Sequence, residues 1–155
     1  MFSTKSKYAS VRELLNADKK STLEDSVFDD QLWLLLCERI HTPSDLQGLP
    51  LEVTHYYASR LVQWEVGNGG FPQAIDNGLQ VWFSSAAAAY DIFGKPEFAN
   101  LIRKANAITL ECGDDMDSAC EQSEVLDEEL SDIDWEIDEL RIAYVRDHYE
   151  AFLAI

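Results

Sequence analysis

LDEELSDIDWEIDELRIAY, residues 126–144, places apolar side chains at Leu126, Leu130, Ile133, Ile137, Leu140 and Tyr144, in steps that alternate between four and three. Residues so spaced lie on one face of an α-helix. Acids fill the intervals. The stretch belongs to a wider run, Glu111 to Glu139, that holds fourteen Asp and Glu and neither Lys nor Arg. No cation occurs anywhere from Ala105 to Leu140. A buried stripe with carboxylates on the remaining surface displays negative charge on a rigid support, which is not how a disordered acidic tail is built. The complement of such a surface is cationic.

Working outward, helical spacing recurs and strand alternation is scarce. Tyr8–Ala17 reads as a short helix with Val11, Leu14 and Leu15 on one side. Thr22 opens a capping pattern with Asp25, before helical repeats from Val27 to Ile40. A helix from about Leu51 to Val66 is expected to bury Val53, Tyr57, Leu61 and Trp64. Gly67-Asn68-Gly69-Gly70 should stop it, since glycine supplies a left-handed cap. Phe71–Ile75 adds a turn that closes at Asn77-Gly78. Gln80–Phe93 and Glu97–Leu110 read as helices, the first with an Ala86–Ala89 run that permits close packing. The residues after Leu110 are a loop or short helix. Ser131 with Asp134 then caps a long final helix reaching Phe152. The expected fold is all-α: a single-domain orthogonal helical bundle over residues 1–155 with a long acidic C-terminal helix. Its N-terminal segment, 1–20, is weakly basic, and the acidic segment 111–139 leads into the final helix.

Charge excludes several functions. The chain of 155 residues has a formal net charge of −17; residues 1–104 contain 13 acidic and 10 basic side chains, residues 105–155 contain 16 and 2. Phosphate binding needs clustered Lys and Arg, so neither nucleic acid nor an anionic membrane is expected as a direct ligand. Cys37, Cys112 and Cys120 form neither a disulfide framework nor a zinc spacing, and Cys37 reads as a small core residue. Met1–Ser10 has no apolar signal core and no stretch approaches a membrane span, so a cytoplasmic protein is expected.

The most distinctive local string is Trp64-Glu65-Val66-Gly67-Asn68-Gly69-Gly70-Phe71-Pro72-Gln73. Physically it is a helix-to-helix corner: the backbone turns where glycine is cheapest, Phe71 plugs the core, and Glu65 accepts from free amides of the next turn. It lacks the Lys-Ser/Thr of a phosphate loop, and Pro72 occupies the third glycine of a dinucleotide fingerprint.

Glu65, Asn68, Gly69, Gly70, Phe71 and Gln73, followed by Asn77, resemble the E-x-x-N-G-G-F-x-Q signature of a bacterial family of all-α domains whose best-understood relative is a DNA-mimic protein. The alanine-rich helix after the motif and the closing Tyr144…His148…Phe152 stretch are similar too, so that the resemblance spans roughly residues 25–153. Gly67 and Pro72-Gln73-Ala74-Ile75 depart from the family's usual, more aromatic pattern. The resemblance implies a very acidic dimer that occupies the DNA-binding face of a transcription factor.

If the run from Glu111 to Glu139 were wholly helical it would extend about 43 Å. Its carboxylates would then fall one per ~3 Å of axis, against 3.4 Å per phosphate along one DNA strand. The candidate partner-binding residues are Asp114, Asp115, Asp117, Glu121, Glu124, Asp127, Glu128, Glu129, Asp132, Asp134, Glu136, Asp138 and Glu139. Trp135 joins them as an exposed interface anchor, while Trp33, Trp64 and Trp82 are assigned to the core. No metal ligand set is expected: Asp115 and Asp117 begin like a calcium loop, but Ala119 and Cys120 stand where a ligand and the turn glycine belong. His41, His55 and His148 have no adjacent nucleophile pattern, and neither a catalytic residue nor a cofactor is expected. The expected function is a non-enzymatic acidic protein that binds a basic, DNA-binding partner as a DNA mimic. Two readings stay open beside it: an immunity or antitoxin-type inhibitor of a basic nuclease toxin, and a solvated acidic surface with no mimic role.

Overall fold

The computed structural model describes residues 5–155; Met1–Thr4, the start of the weakly basic segment and of the stretch read for a signal core, lie outside the described residues. Eight α-helices follow in order: α1 Val11–Lys20, α2 Asp25–Cys37, α3 Leu51–Asp76, α4 Gln80–Ile92, α5 Pro96–Cys112, α6 Met116–Leu130, α7 Asp138–Asp147 and α8 Tyr149–Phe152, with a 3-10 turn at Pro43–Leu46. No strand occurs among the described residues, so the all-α bundle expected from helical spacing is what forms. The helices divide between two compact units, Met1–Tyr57 with Asp138–Ile155, and Ala58–Ile137.

In the first unit α1 is fixed at its start by a reciprocal cap. Ser10 Oγ accepts from the Glu13 amide (3.2 Å), and Glu13 accepts from the Ala9 amide (2.8 Å). Lys19 and Lys20 occupy its last turn, where the helix dipole favours cations. Thr22 plays no such part for α2: that helix begins at Asp25, and the preceding Glu24 makes no side-chain cap. Asp25 instead accepts from Arg146 Nη1 at 2.5 Å. Leu14, Leu15, Phe28, Leu32, Leu36, Tyr56, Val145 and Phe152 form the core, with Tyr56 edge-on to Phe152 at 5.9 Å.

Both cations of the last third are taken up inside this unit. Arg141 is only 2 % exposed; it contacts Asp138 at 2.6 Å and Asp29 at 3.8 Å, and lies over the Tyr56 ring. Tyr56 in turn donates to Asp29 at 2.7 Å. Arg146 grips the buried Asp18 through Nε at 3.0 Å and Nη2 at 3.2 Å, and also donates to the Leu23 carbonyl. Burial alone would raise the Asp18 pKa. Hydrogen bonds from Arg146, Tyr149 and the Leu23 amide outweigh it and hold the carboxyl below its ordinary value. Arg141 thus offsets Asp138 alone among the acids of 111–139, and Arg146 is turned to Asp18 and Asp25.

In the second unit α4 packs on α5 and α5 on α6. The buried Ala86, Ala87 and Ala89 allow α4 to lie close, and Phe71, Phe83, Tyr90, Phe98, Ile102 and Leu126 fill the centre.

Three further expectations fail, each for a physical reason. The final helix is not one long helix: residues 131–137 leave helical geometry, and α7 starts only at Asp138. Ser131 turns its hydroxyl back onto the Glu128 carbonyl at 2.8 Å, which closes α6 instead of capping a new helix. Ile133, Trp135 and Ile137 are each at least half-buried while Asp132, Asp134, Glu136 and Asp138 are exposed. That is the period of two of extended chain, and only it turns all three large apolar residues inward. The stripe read across the break consequently fails at Leu140, 44 % exposed, and α7 buries Arg141, Ile142 and Val145. Second, α3 does not stop at Gly67 but runs to Gly69-Gly70, where it kinks. Third, α3 buries Val62 and Val66 in the second unit, not Leu61 and Trp64; Leu61 is half-buried and Trp64 is 63 % exposed.

Candidate functional site

The glycine motif and the acidic helix prove to be one structural feature. At the kink Gly70 has φ +76° and ψ −173°, a region essentially restricted to glycine. A Cβ there would lie 2.1 Å from an Asp127 carboxylate oxygen. Freed by the kink, the Phe71 amide donates to Asp127 Oδ1 at 2.8 Å. Asp127 of α6 therefore caps the restarting segment of α3, the role assigned above to Glu65, and Pro72 sits where a missing N–H does no harm. A Cβ on Gly69 would overlap the Gln73 side chain. Gln73 Nε2 and Asn77 Nδ2 donate to Glu65 Oε2 at 3.3 and 2.8 Å, tying the two arms of the corner together. Phe71 is fully buried against Phe83 and Phe98. The signature thus fixes where α6 sits.

Asp127 consequently differs from its acidic neighbours. It is half-buried, and burial raises its pKa while the Phe71 amide pulls the other way. A carboxyl whose folded pKa is raised favours folding in its protonated form, so its contribution to stability falls as pH rises through that folded value. Asp127→Asn keeps an oxygen for the Phe71 amide and removes the buried charge. Its stability at pH 7 should equal or exceed wild type and lose this part of the pH dependence, whereas Asp127→Ala should cost about 1–3 kcal/mol. Urea unfolding of the two variants between pH 4 and 8 checks this; an Asn variant as unstable as Ala would refute the capping role.

The fourteen acids of 111–139 sort into two groups. Asp115 caps α6 by accepting from the Ser118 amide at 3.0 Å, Asp127 caps the corner, Glu129 pairs with Lys104 at 2.6 Å, Asp134 pairs with Lys95, and Asp138 pairs with Arg141. Lys95 holds the Asp134 carboxyl below its ordinary pKa through its hydrogen bond and its charge. The exposed surface pairs contribute little to stability. Glu111, Asp114, Asp117, Glu121, Glu124, Glu128, Asp132, Glu136 and Glu139 are exposed, and no described ion pair or side-chain hydrogen bond engages them. Asp138 and Glu139 belong to the first turn of α7, in the first unit.

Within the second unit Asp117, Glu121, Glu124 and Glu128 form an unbroken stripe along α6, in steps of four, three and four. The Cβ atoms of neighbours so spaced lie about 5–6 Å apart. Measured along the axis the stripe carries one free carboxylate per ~5.5 Å, sparser than the raw count of acids.

Trp135 is not an exposed anchor. Its indole is half-buried, 5.0 Å from the Phe98 ring, and would lie 3.5 Å from a Cβ on Gly67. The exposed indole is Trp64, although Tyr57, Leu61 and Trp64 share helical spacing; Val62 and Val66 show that the buried face is turned away from it. His55 is buried beside the Tyr144 hydroxyl (3.1 Å), with its pKa lowered by burial against the opposing pull of Glu52, while His148 Nδ1 lies 2.7 Å from the Tyr144 carbonyl oxygen. Among the described residues no cluster of His, Cys, Asp or Glu has metal-binding geometry, and no helix is long and apolar enough to cross a membrane.

Residues 47–148 match the family described as DMP19-like protein. No curated protein and no solved structure matches the chain. The matched span holds the whole glycine corner, the Asp127 cap and α6 with its acidic stripe. The chain therefore belongs to the DMP19-like family, a family of DNA-mimic proteins.

Proposed function

We propose that this protein is a non-enzymatic DNA mimic that covers the nucleic-acid-binding face of a basic, DNA-binding protein, a transcription factor or nucleoid protein. The observation that carries the reading is the α6 stripe: Asp117, Glu121, Glu124 and Glu128 are exposed, unpaired and regularly spaced on a helix whose placement is fixed by the Asp127 cap. Fixed carboxylates bind a basic groove without the entropy loss that ordering a flexible acidic tail would incur. Attraction between net −17 and a cationic partner speeds encounter and weakens steeply with salt.

The test is capture of partners from host lysate at low salt, elution with competing duplex DNA, and identification of what the duplex displaces. A DNA-binding protein should be recovered. Lysine at positions 117, 121, 124 and 128 adds two charges at each, taking the net charge from −17 to −9, and should lower its affinity at least about 100-fold. Recovery of ribosomal proteins alone, or a partner indifferent to these four reversals, would overturn the reading.

A further inference from the structure

Trp64 is the only aromatic residue among the large exposed apolar side chains of the described residues, with 63 % of its surface in water. An indole contributes most when its area is covered, so leaving it open inside a well-packed helical unit points to a use for its face. Its surroundings define that use. On α3 the residues one turn ahead, Gly67 and Asn68, are exposed, and Gly67 has no side chain to shield the ring. Against Gly67 lies Trp135, flanked by the exposed Asp134 and Glu136. One step further along α3, Gly70 meets Asp127, whose neighbours Glu124 and Glu128 belong to the free stripe. Arg60, one turn behind Trp64, is half-buried and already engaged. Trp64 thus shares its helix with Gly67 and Gly70, the two glycines against which Trp135 and Asp127 of the acid-bearing segments lie, and Lys95 there is already paired with Asp134.

Resting on the mimic reading, we infer that Trp64 and the adjoining acids form a recognition pad for arginine side chains of the partner. A guanidinium is planar, stacks on an indole and presents a fork of donors that matches a carboxylate; a lysine ammonium answers the charge but is a hydrated point cation that gains less from the ring. Carboxylates alone attract both kinds of cation. The indole adds a stacking face that favours the guanidinium beyond the match of its fork to a carboxylate, and it extends the electrostatic surface with apolar contact that salt screens little.

The experiment uses the full chain and two probes of equal charge, nona-arginine and nona-lysine peptides, titrated calorimetrically at low salt into wild type, Trp64→Ala and Trp64→Leu. Wild type should favour the arginine peptide, and both variants should lose about fivefold or more of that preference while their affinity for the lysine peptide stays within twofold. A preference unchanged in both variants overturns the inference and leaves the electrostatic reading standing, as does full recovery by leucine, which would mean generic apolar contact. Binding of neither peptide overturns both readings. Sedimentation of the peptide-free proteins closes the remaining route: a smaller assembly in the Trp64→Ala variant would show that a second copy of the chain covers the indole, and the arginine pad would be wrong.

Discussion

Arg141→Ala is expected to destabilise the protein by about 3–5 kcal/mol, the usual consequence of removing one partner of a buried ion pair. Its guanidinium, almost wholly buried, faces Asp29 at 3.8 Å and Asp138 at 2.6 Å. Asp138 is solvated and would tolerate the loss. Asp29 is not: only 13 % of its side chain is exposed, and it also accepts from the Tyr56 hydroxyl. The alanine also leaves a void where the buried arginine side chain, its guanidinium over the Tyr56 ring, had stood. A urea midpoint that moves at constant m-value would report this directly. Arg141→Met combined with Asp29→Asn should recover part of the loss, since the double change fills the void and removes the stranded charge. An alanine variant within 1 kcal/mol of wild type would show that the buried pair is not holding this unit together.

Gly70→Ala should be nearly as damaging, at about 3 kcal/mol or more. The backbone at φ +76°, ψ −173° is close to forbidden for any residue with a Cβ, a strain of about 1–3 kcal/mol. The new methyl would also occupy the place of the Asp127 carboxylate, leaving the Phe71 amide without its acceptor, for a further ~1–3 kcal/mol. Because the two effects share one contact, adding Asp127→Ala should cost less than the sum of the single changes. The same substitution frees the C-terminal turn of α6, so hydrogen exchange should quicken at the Phe71 amide and across residues 124–130 before global unfolding. If Gly70→Ala leaves that exchange and the stability unchanged, the corner does not fix the acidic helix.

The helical character of the chain was legible because it rests on local spacing. The helices over 80–92 and 96–112 are found within two residues of their expected limits, with Pro96 at the start of one and Gly94 between them. The glycine motif was legible as a corner, but not what it holds. Asp127 is 56 residues distant from Phe71, and in the sequence it is one aspartate among many. Glu65 was the nearer and more obvious acceptor; instead it receives the side-chain amides of Gln73 and Asn77. Nor did the sequence sort the acids. Which carboxylates are free depends on the burial of Arg141 and on where Lys95 and Lys104 reach, 39 and 25 residues from the acids they neutralise.

The stretch 126–144 shows where the division falls. Leu126, Leu130, Ile133 and Ile137 fit a helix, while Ile133, Trp135 and Ile137 fit an extended strip, and local periodicity cannot choose between two patterns that share residues. The choice was made by what the chain could bury: in the extended form Trp135 lies against Phe98 and Gly67. By itself the sequence determined an all-helical chain, a pronounced concentration of negative charge in its last third and a glycine corner, because propensity, composition and left-handed backbone are properties of residues and their near neighbours. Only the tertiary structure decided that the acidic run is two helices and a strap, that Asp127 belongs to the corner, and that the open tryptophan is Trp64. Those outcomes depend on burial and on pairings between distant residues, which exist only once the chain has closed on itself.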